Sequence, residues 1–323
     1  MARPLHPRHG VHDQSARTPP RARNSVRRTT TVDTFRFDGM TGPATVVATG
    51  RDLLTDRHGR AGALDVHEFE LILEPLGNVV TVARDRELVG VPIGGGFRRV
   101  LHQLVRREDR GTLRYRMLDD LPGAVLVGNL PLLHADVYPV QPRQLLVLTD
   151  VCRGWADGGS QHVDIAAGLL PTPTGPVPND NSAVGDPLAW HDTAVTGHDF
   201  MRRSRRLDVT ADGAELALDA HFRDVFVPVA GGGEVIHEYS LTARADAATM
   251  VLTAIEVRAH ALPWQECNTV PATAAHLLGA TLGELETTVR THLAGTAGCT
   301  HLNDTFRGLD AVPLLAHSLE VPR

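Results

Sequence analysis

With 323 residues, 42% of them hydrophobic, the chain is long enough for two medium domains and apolar enough for a packed core. Its formal net charge of −6 excludes a general attraction to nucleic acid or anionic lipid, and it holds no run of about 18 apolar residues to cross a membrane. All 32 basic side chains are arginine, which excludes a phosphate loop ending in Gly-Lys-Ser/Thr, a protein-kinase lysine and a lysine Schiff base with pyridoxal phosphate.

Residues 1–24 carry Arg3, Arg8, Arg17, Arg21 and Arg23 with almost no apolar periodicity. They read as a mobile basic lead-in and lack the apolar segment of a secretory signal. From Val26 the pattern is β-rich. Alternation in residues 66–73 puts His67, Phe69, Leu71 and Leu73 on one face, and the turn Gly77-Asn78 predicts a hairpin with residues 79–82. After Gly94-Gly95-Gly96, read as a plain turn, the spacing of Phe97, Val100, Leu101, Leu104 and Val105 predicts a helix. Residues 112–127 read as two short strands around the turn-like Asp119-Asp120-Leu121-Pro122-Gly123. Residues 145–155 read as a helix stopped by Gly158-Gly159.

Residues 171–190, rich in Pro, Asn and Asp, read as a linker between an N-terminal half (25–170) and a C-terminal half (191–323). Past it, alternation of Leu216, Leu218, Ala220 and Phe222 predicts a strand, residues 235–245 and 250–258 a second hairpin, and Leu285, Val289 and Leu293 the apolar stripe of a helix. The halves share short words: Val26-Arg27-Arg28-Thr29 with Met201-Arg202-Arg203-Ser204, Arg51-Asp52 with Arg223-Asp224, and His67-Glu68-Phe69 with His237-Glu238-Tyr239. The fold class expected is therefore α+β: two related halves from an internal duplication, each a small antiparallel sheet with helices packed on one face, and His67 equivalent to His237.

The three cysteines, at 152, 267 and 299, are odd in number and widely spaced, which suits reduced thiols in the cytoplasm. Cys152 is isolated and reads as packing. Chemistry concentrates in the second half. His237 lies on the apolar face of its strand, Cys267 follows the hairpin, and Cys299 and His301 stand at a helix start, where free amides and the helix dipole favour a thiolate. His237, Cys267, Cys299 and His301 supply four ligands of the kind that zinc, iron or an iron-sulfur cluster accepts. The alternatives are a cysteine-dependent acyl-transfer or hydrolytic enzyme, with Cys299 as nucleophile and His301 or His237 as base, and a non-catalytic interaction module whose cysteines pack. Asp219, His221 and Asp224 read as a solvated strand face, since only the first two share a side. No protein or small-molecule partner is specified, and nucleic acid is not favoured by the charge.

Arg27-Arg28-Thr29, Arg223-Asp224, His237-Glu238-Tyr239, residues 263–267 and above all Gly298-Cys299-Thr300-His301-Leu302 resemble the bacterial domain-of-unknown-function family 2889. Gly50-Arg51-Asp52-Leu53 and Asp186-Pro187-Leu188-Ala189-Trp190-His191 resemble its actinobacterial branch. That resemblance implies no established activity. More distantly, the order of His237, Cys267 and the Cys299/His301 pair is similar in architecture to iron-sulfur scaffold proteins of the NifU N-terminal type, with histidine where a first cysteine stands there.

Overall fold

Strand β1 (Ser25–Phe35) is buried along its whole length although its sequence, SVRRTTTVDTF, is largely polar. The reason is its position at the centre of an eight-stranded sheet. The computed structural model, which describes residues 9–193 and 197–319, runs from β1 through β2 (Ala44–Thr55), β3 (Ala61–Leu73) and β4 (Val80–Ala83) as one antiparallel meander. A second meander comprises β5 (Phe200–Asp212), β6 (Glu215–Val227), β7 (Glu234–Asp246) and β8 (Leu252–Ala261). Antiparallel pairing of β1 with β5 joins them in the order β4-β3-β2-β1-β5-β6-β7-β8. What reads as two small sheets is thus one.

The meanders share more than strand order. Arg28 faces Asp52 across β1 and β2, Arg203 faces Asp224 across β5 and β6, and the register with the next strand shifts immediately after each aspartate. Each arginine grips its aspartate through two nitrogens. The histidines do not follow this symmetry. His237 faces Asp224, whereas Asp52 faces Asp65, and His67 lies two residues farther along, opposite Gly50. Matching the His-Glu-aromatic words therefore misaligned the halves, because hydrogen-bond register and not local wording sets equivalence in a sheet.

Helices α1 (Phe97–Leu104), α2 (Leu113–Val127), α3 (Leu130–His134), α4 (Ser160–Ala166), α5 (Leu285–His292), α6 (Thr300–Gly308) and α7 (Val312–Ala316) complete the regular structure. Apolar side chains of α1 and α2 pack on β1–β3, and those of α5, α6 and α7 pack on β5–β8. The stripe of Leu285, Val289 and Leu293 is buried as expected.

Two local expectations fail for physical reasons. Residues 113–127 form one helix instead of two strands, with Thr112 capping the Tyr115 amide and Leu113, Met117 and Leu121 buried along one side. Pro122-Gly123 reads as a turn, yet the glycine serves close approach: a Cβ at Gly123 would stand 1.9 Å from Arg203 Nη1. Asp119 and Asp120 are consequently buried, where they bind Arg98 and Arg205. Residues 145–155 are not one helix either, but 3-10 turns over Pro142–Leu148 and Arg153–Trp155, broken at Asp150 with φ of 62°.

The opposite sheet face is covered by irregular chain. Of the basic lead-in, residues 1–8 lie outside the described residues, while the rest is held against the sheet. The Leu262 amide donates to Val11 O, the Asp13 amide to His260 O, and Ser15 Oγ to Glu238. From residues 171–193, Ala189 O accepts from Arg27, and the His191 ring bonds Thr29 and Thr31. These segments give partners to Arg27, Thr29 and Thr31 of β1, to Arg223 of β6 and to Glu238 of β7, which is why those polar side chains tolerate burial.

Candidate metal centre

Asp224 on β6 is fully buried and stands directly opposite His237 on β7. Alternation places both on the helix-covered face. A third group descends from the start of α6: Cys299 is its N-cap and His301 its second residue. Gly298 allows that entry, since a Cβ there would meet Leu293 O at 2.3 Å.

The three side chains converge on Asp224 Oδ2, which lies 3.4 Å from His237 Nδ1 and 3.6 Å from His301 Nε2. The imidazoles stack with centroids 3.7 Å apart and planes inclined by 20°. One potential ligand atom from each residue lies within 4.8 Å of the others, and no other such group of three His, Cys, Asp or Glu occurs among the described residues. His237 Nδ1 is buried and faces the Asp224 carboxylate at the outer limit of hydrogen-bonding distance.

Electrostatics set the ligand set's charge. Burial acts to raise the Asp224 carboxyl, but the Arg203 guanidinium, 2.8 Å and 2.9 Å from its two oxygens, overrides that and holds it well below the usual carboxylate range. Burial holds the His301 imidazolium well below its ordinary range, aided by His237 and by the charges of Arg203 and Arg205. At neutral pH the site therefore presents an anionic oxygen and, at His301, a neutral imidazole with a free lone pair. Asp120 and Asp304, each within 4 Å of Arg203 Nη1, offset the arginine charge.

The cysteines adjoin this group without completing it. Cys299 Sγ is 3.8 Å from His301 Nδ1 and accepts a hydrogen bond from Tyr239 Oη at 3.4 Å. Burial pushes its thiol up to about 11, although the Tyr239 hydroxyl and the Leu302 and His301 amides pull the other way. The helix start does favour the thiolate, as expected, but desolvation is the larger effect. Cys267 is also buried, with its thiol raised well above the ordinary range by burial and by Cys299 and Cys152. Cys152 is not isolated: the amides of Gly154, Trp155 and Thr300 point at it, and all three cysteines, with His237 and His301, line one cavity of about 210 Å³. In native protein at neutral pH all three thiols should react with iodoacetamide far more slowly than after unfolding. Mass-spectrometric mapping checks this, and rapid native labelling of Cys299 would contradict it.

Sequence reasoning missed Asp224 as a partner of the two histidines. The available signal was the Arg-Asp word shared by the halves, combined with the hairpin that sets Asp224 across from His237. His221, read as solvated, is instead buried against Glu238 at 2.7 Å, and burial lowers its imidazolium to about 4.

Residues 201–314 match the DUF2889 family, described as a protein of unknown function. The DUF2889 match spans β5 into α7 and thus holds Asp224, His237, Cys267, Cys299 and His301, while Cys152 and the first meander lie outside it. No curated protein and no solved structure matches the chain. No helix among the described residues is long and apolar enough to cross a membrane.

Proposed function

We propose that this is a cytoplasmic metal-binding protein whose ion, zinc or ferrous iron, is held by Asp224, His237 and His301. The observation that carries the reading is the buried convergence of Asp224, His237 and His301, with one potential ligand atom from each within 4.8 Å of the others. Two imidazoles with one carboxylate suit either ion and leave coordination positions open. Arg203 then serves as the outer partner that orients the carboxylate. The stacked rings must tilt apart for their nitrogens to converge on one ion. This reading places Cys267 and Cys299 on the cavity wall, in place of the four-ligand Cys/His set or an iron-sulfur cluster. The Arg28–Asp52 pair of the first meander then marks the copy, in a diverged duplication, that lacks the histidines.

Elemental analysis of tag-free protein should find about one zinc or iron per chain. Asp224→Asn and His301→Ala should lose it, while Cys267→Ser and Cys299→Ser retain it. A metal-free wild type whose thermal midpoint ignores chelator would contradict the proposal, as would loss of the ion only in the cysteine variants.

A second reading rests on one specific alignment: Cys299 Sγ, His301 and Asp224 lie in series at 3.8 Å and 3.6 Å. That is the order of a nucleophile, a base and its orienting carboxylate. With both thiol and imidazole neutral, His301 would have to take the thiol proton as attack occurs.

A further inference from the structure

We propose that the cavity beside the metal centre binds a planar ring compound the size of a monosubstituted benzene. The chain has only three tryptophans and three tyrosines, yet Trp155, Trp264 and Tyr138 all line this one cavity. Leu130, Leu148 and Ile236 supply apolar wall between them. Flat aromatic surfaces select a ring over a flexible chain, because stacked or edge-on ring contacts add to apolar burial and a rigid ligand loses little conformational freedom.

Size gives the next limit. A cavity of about 150 Å³ accommodates benzene, so the roughly 210 Å³ here fits a ring with about two or three further non-hydrogen atoms. Polarity gives the orientation. His237, His301 and Cys299 form part of the lining, and Gln161 adds a buried Oε1 with no hydrogen-bond partner. An unpaired interior acceptor calls for a donor on the ligand, as in an amide or hydroxymethyl substituent. The inference rests on the metal reading only for the group that the ligand's polar end meets.

Titration of the full-length protein with benzamide and benzyl alcohol, followed by tryptophan emission, tests this, with hexanamide as the open-chain comparator. Saturable changes are expected for both ring compounds, with hexanamide binding more weakly. Leu148→Phe, on a half-buried wall position, should weaken benzamide by about tenfold or more through overpacking while leaving metal content unchanged. Leu130→Phe serves as a second filling variant if the first does not fold. Asp224→Asn should lose the ion and still bind benzamide. Metal-loaded protein with no saturable response, hexanamide binding as tightly as benzamide, or a folded filling variant with wild-type affinity would overturn the proposal and leave the metal reading intact. Ring binding by a protein that never holds metal would overturn only the latter.

Discussion

Replacing Arg203 with methionine should lower the free energy of unfolding by about 3–5 kcal/mol, the usual cost of removing one partner from a buried ion pair. Arg203 and Asp224 are 1% and 0% exposed, so no water can replace the lost contacts without rearrangement. The guanidinium also lies 5.0 Å from the Phe222 ring centre and fills the space that Gly123 leaves open. Methionine keeps much of the volume and removes the charge, so the loss reports mainly on electrostatics. The pH dependence has a definite sign. Asp224 is held below its unfolded value of about 4 in the native protein, so its contribution is complete above about pH 4 and is lost as pH falls further. The gap between wild type and variant in urea midpoint should therefore be widest near neutrality and narrow under acid. A loss below about 1 kcal/mol at neutral pH, the range of an exposed pair, would contradict the account.

Deleting residues 1–17 should cost about 3 kcal/mol or more, far beyond the near-zero effect of trimming a free tail. Glu238 would lose two donors, Ser15 Oγ and the Ala16 amide, each at 3.1 Å. Arg223 would lose Ser15 Oγ as well. The bridge of His12 with Ala261 and the backbone bonds of Val11 and Asp13 to the end of β8 would also go. Hydrogen bonds to charged groups contribute about 1.5–3 kcal/mol each, so the two at Glu238 alone approach the expected loss. Chemical denaturation of the truncated chain measures it, and a wild-type midpoint would show that the segment is not structural.

Much of this architecture was legible in the sequence, and what was not shares a cause. The hairpins, the α1 helix, the stripe of α5 and the helix start at Cys299 and His301 follow from local periodicity and turn chemistry, which neighbouring residues carry. The β1–β5 pairing leaves no local trace, because the residues it joins lie about 175 apart in the chain. The burial of Arg27, Thr29 and Thr31 is equally hidden, since it depends on Ala189 and His191 arriving from far along the chain. Gly123 was misread for the same reason: its lack of a side chain answers Arg203 on another element, not a bend in its own. At the site, the placement of His237 on the apolar face and of His301 at a helix start were both readable. Asp224 was not, because a strand aspartate looks solvated until the arginine and imidazoles that surround it are known.

The central claim is tested most directly by crystals of the protein loaded with zinc or ferrous iron and measured at the metal's absorption edge. The account predicts one anomalous peak per chain, bonded at about 2.0–2.2 Å to an Asp224 oxygen and to nitrogens of His237 and His301, with the two rings tilted out of their stack. A peak bonded to Cys267 and Cys299, or no peak between the histidines and Asp224, would contradict it.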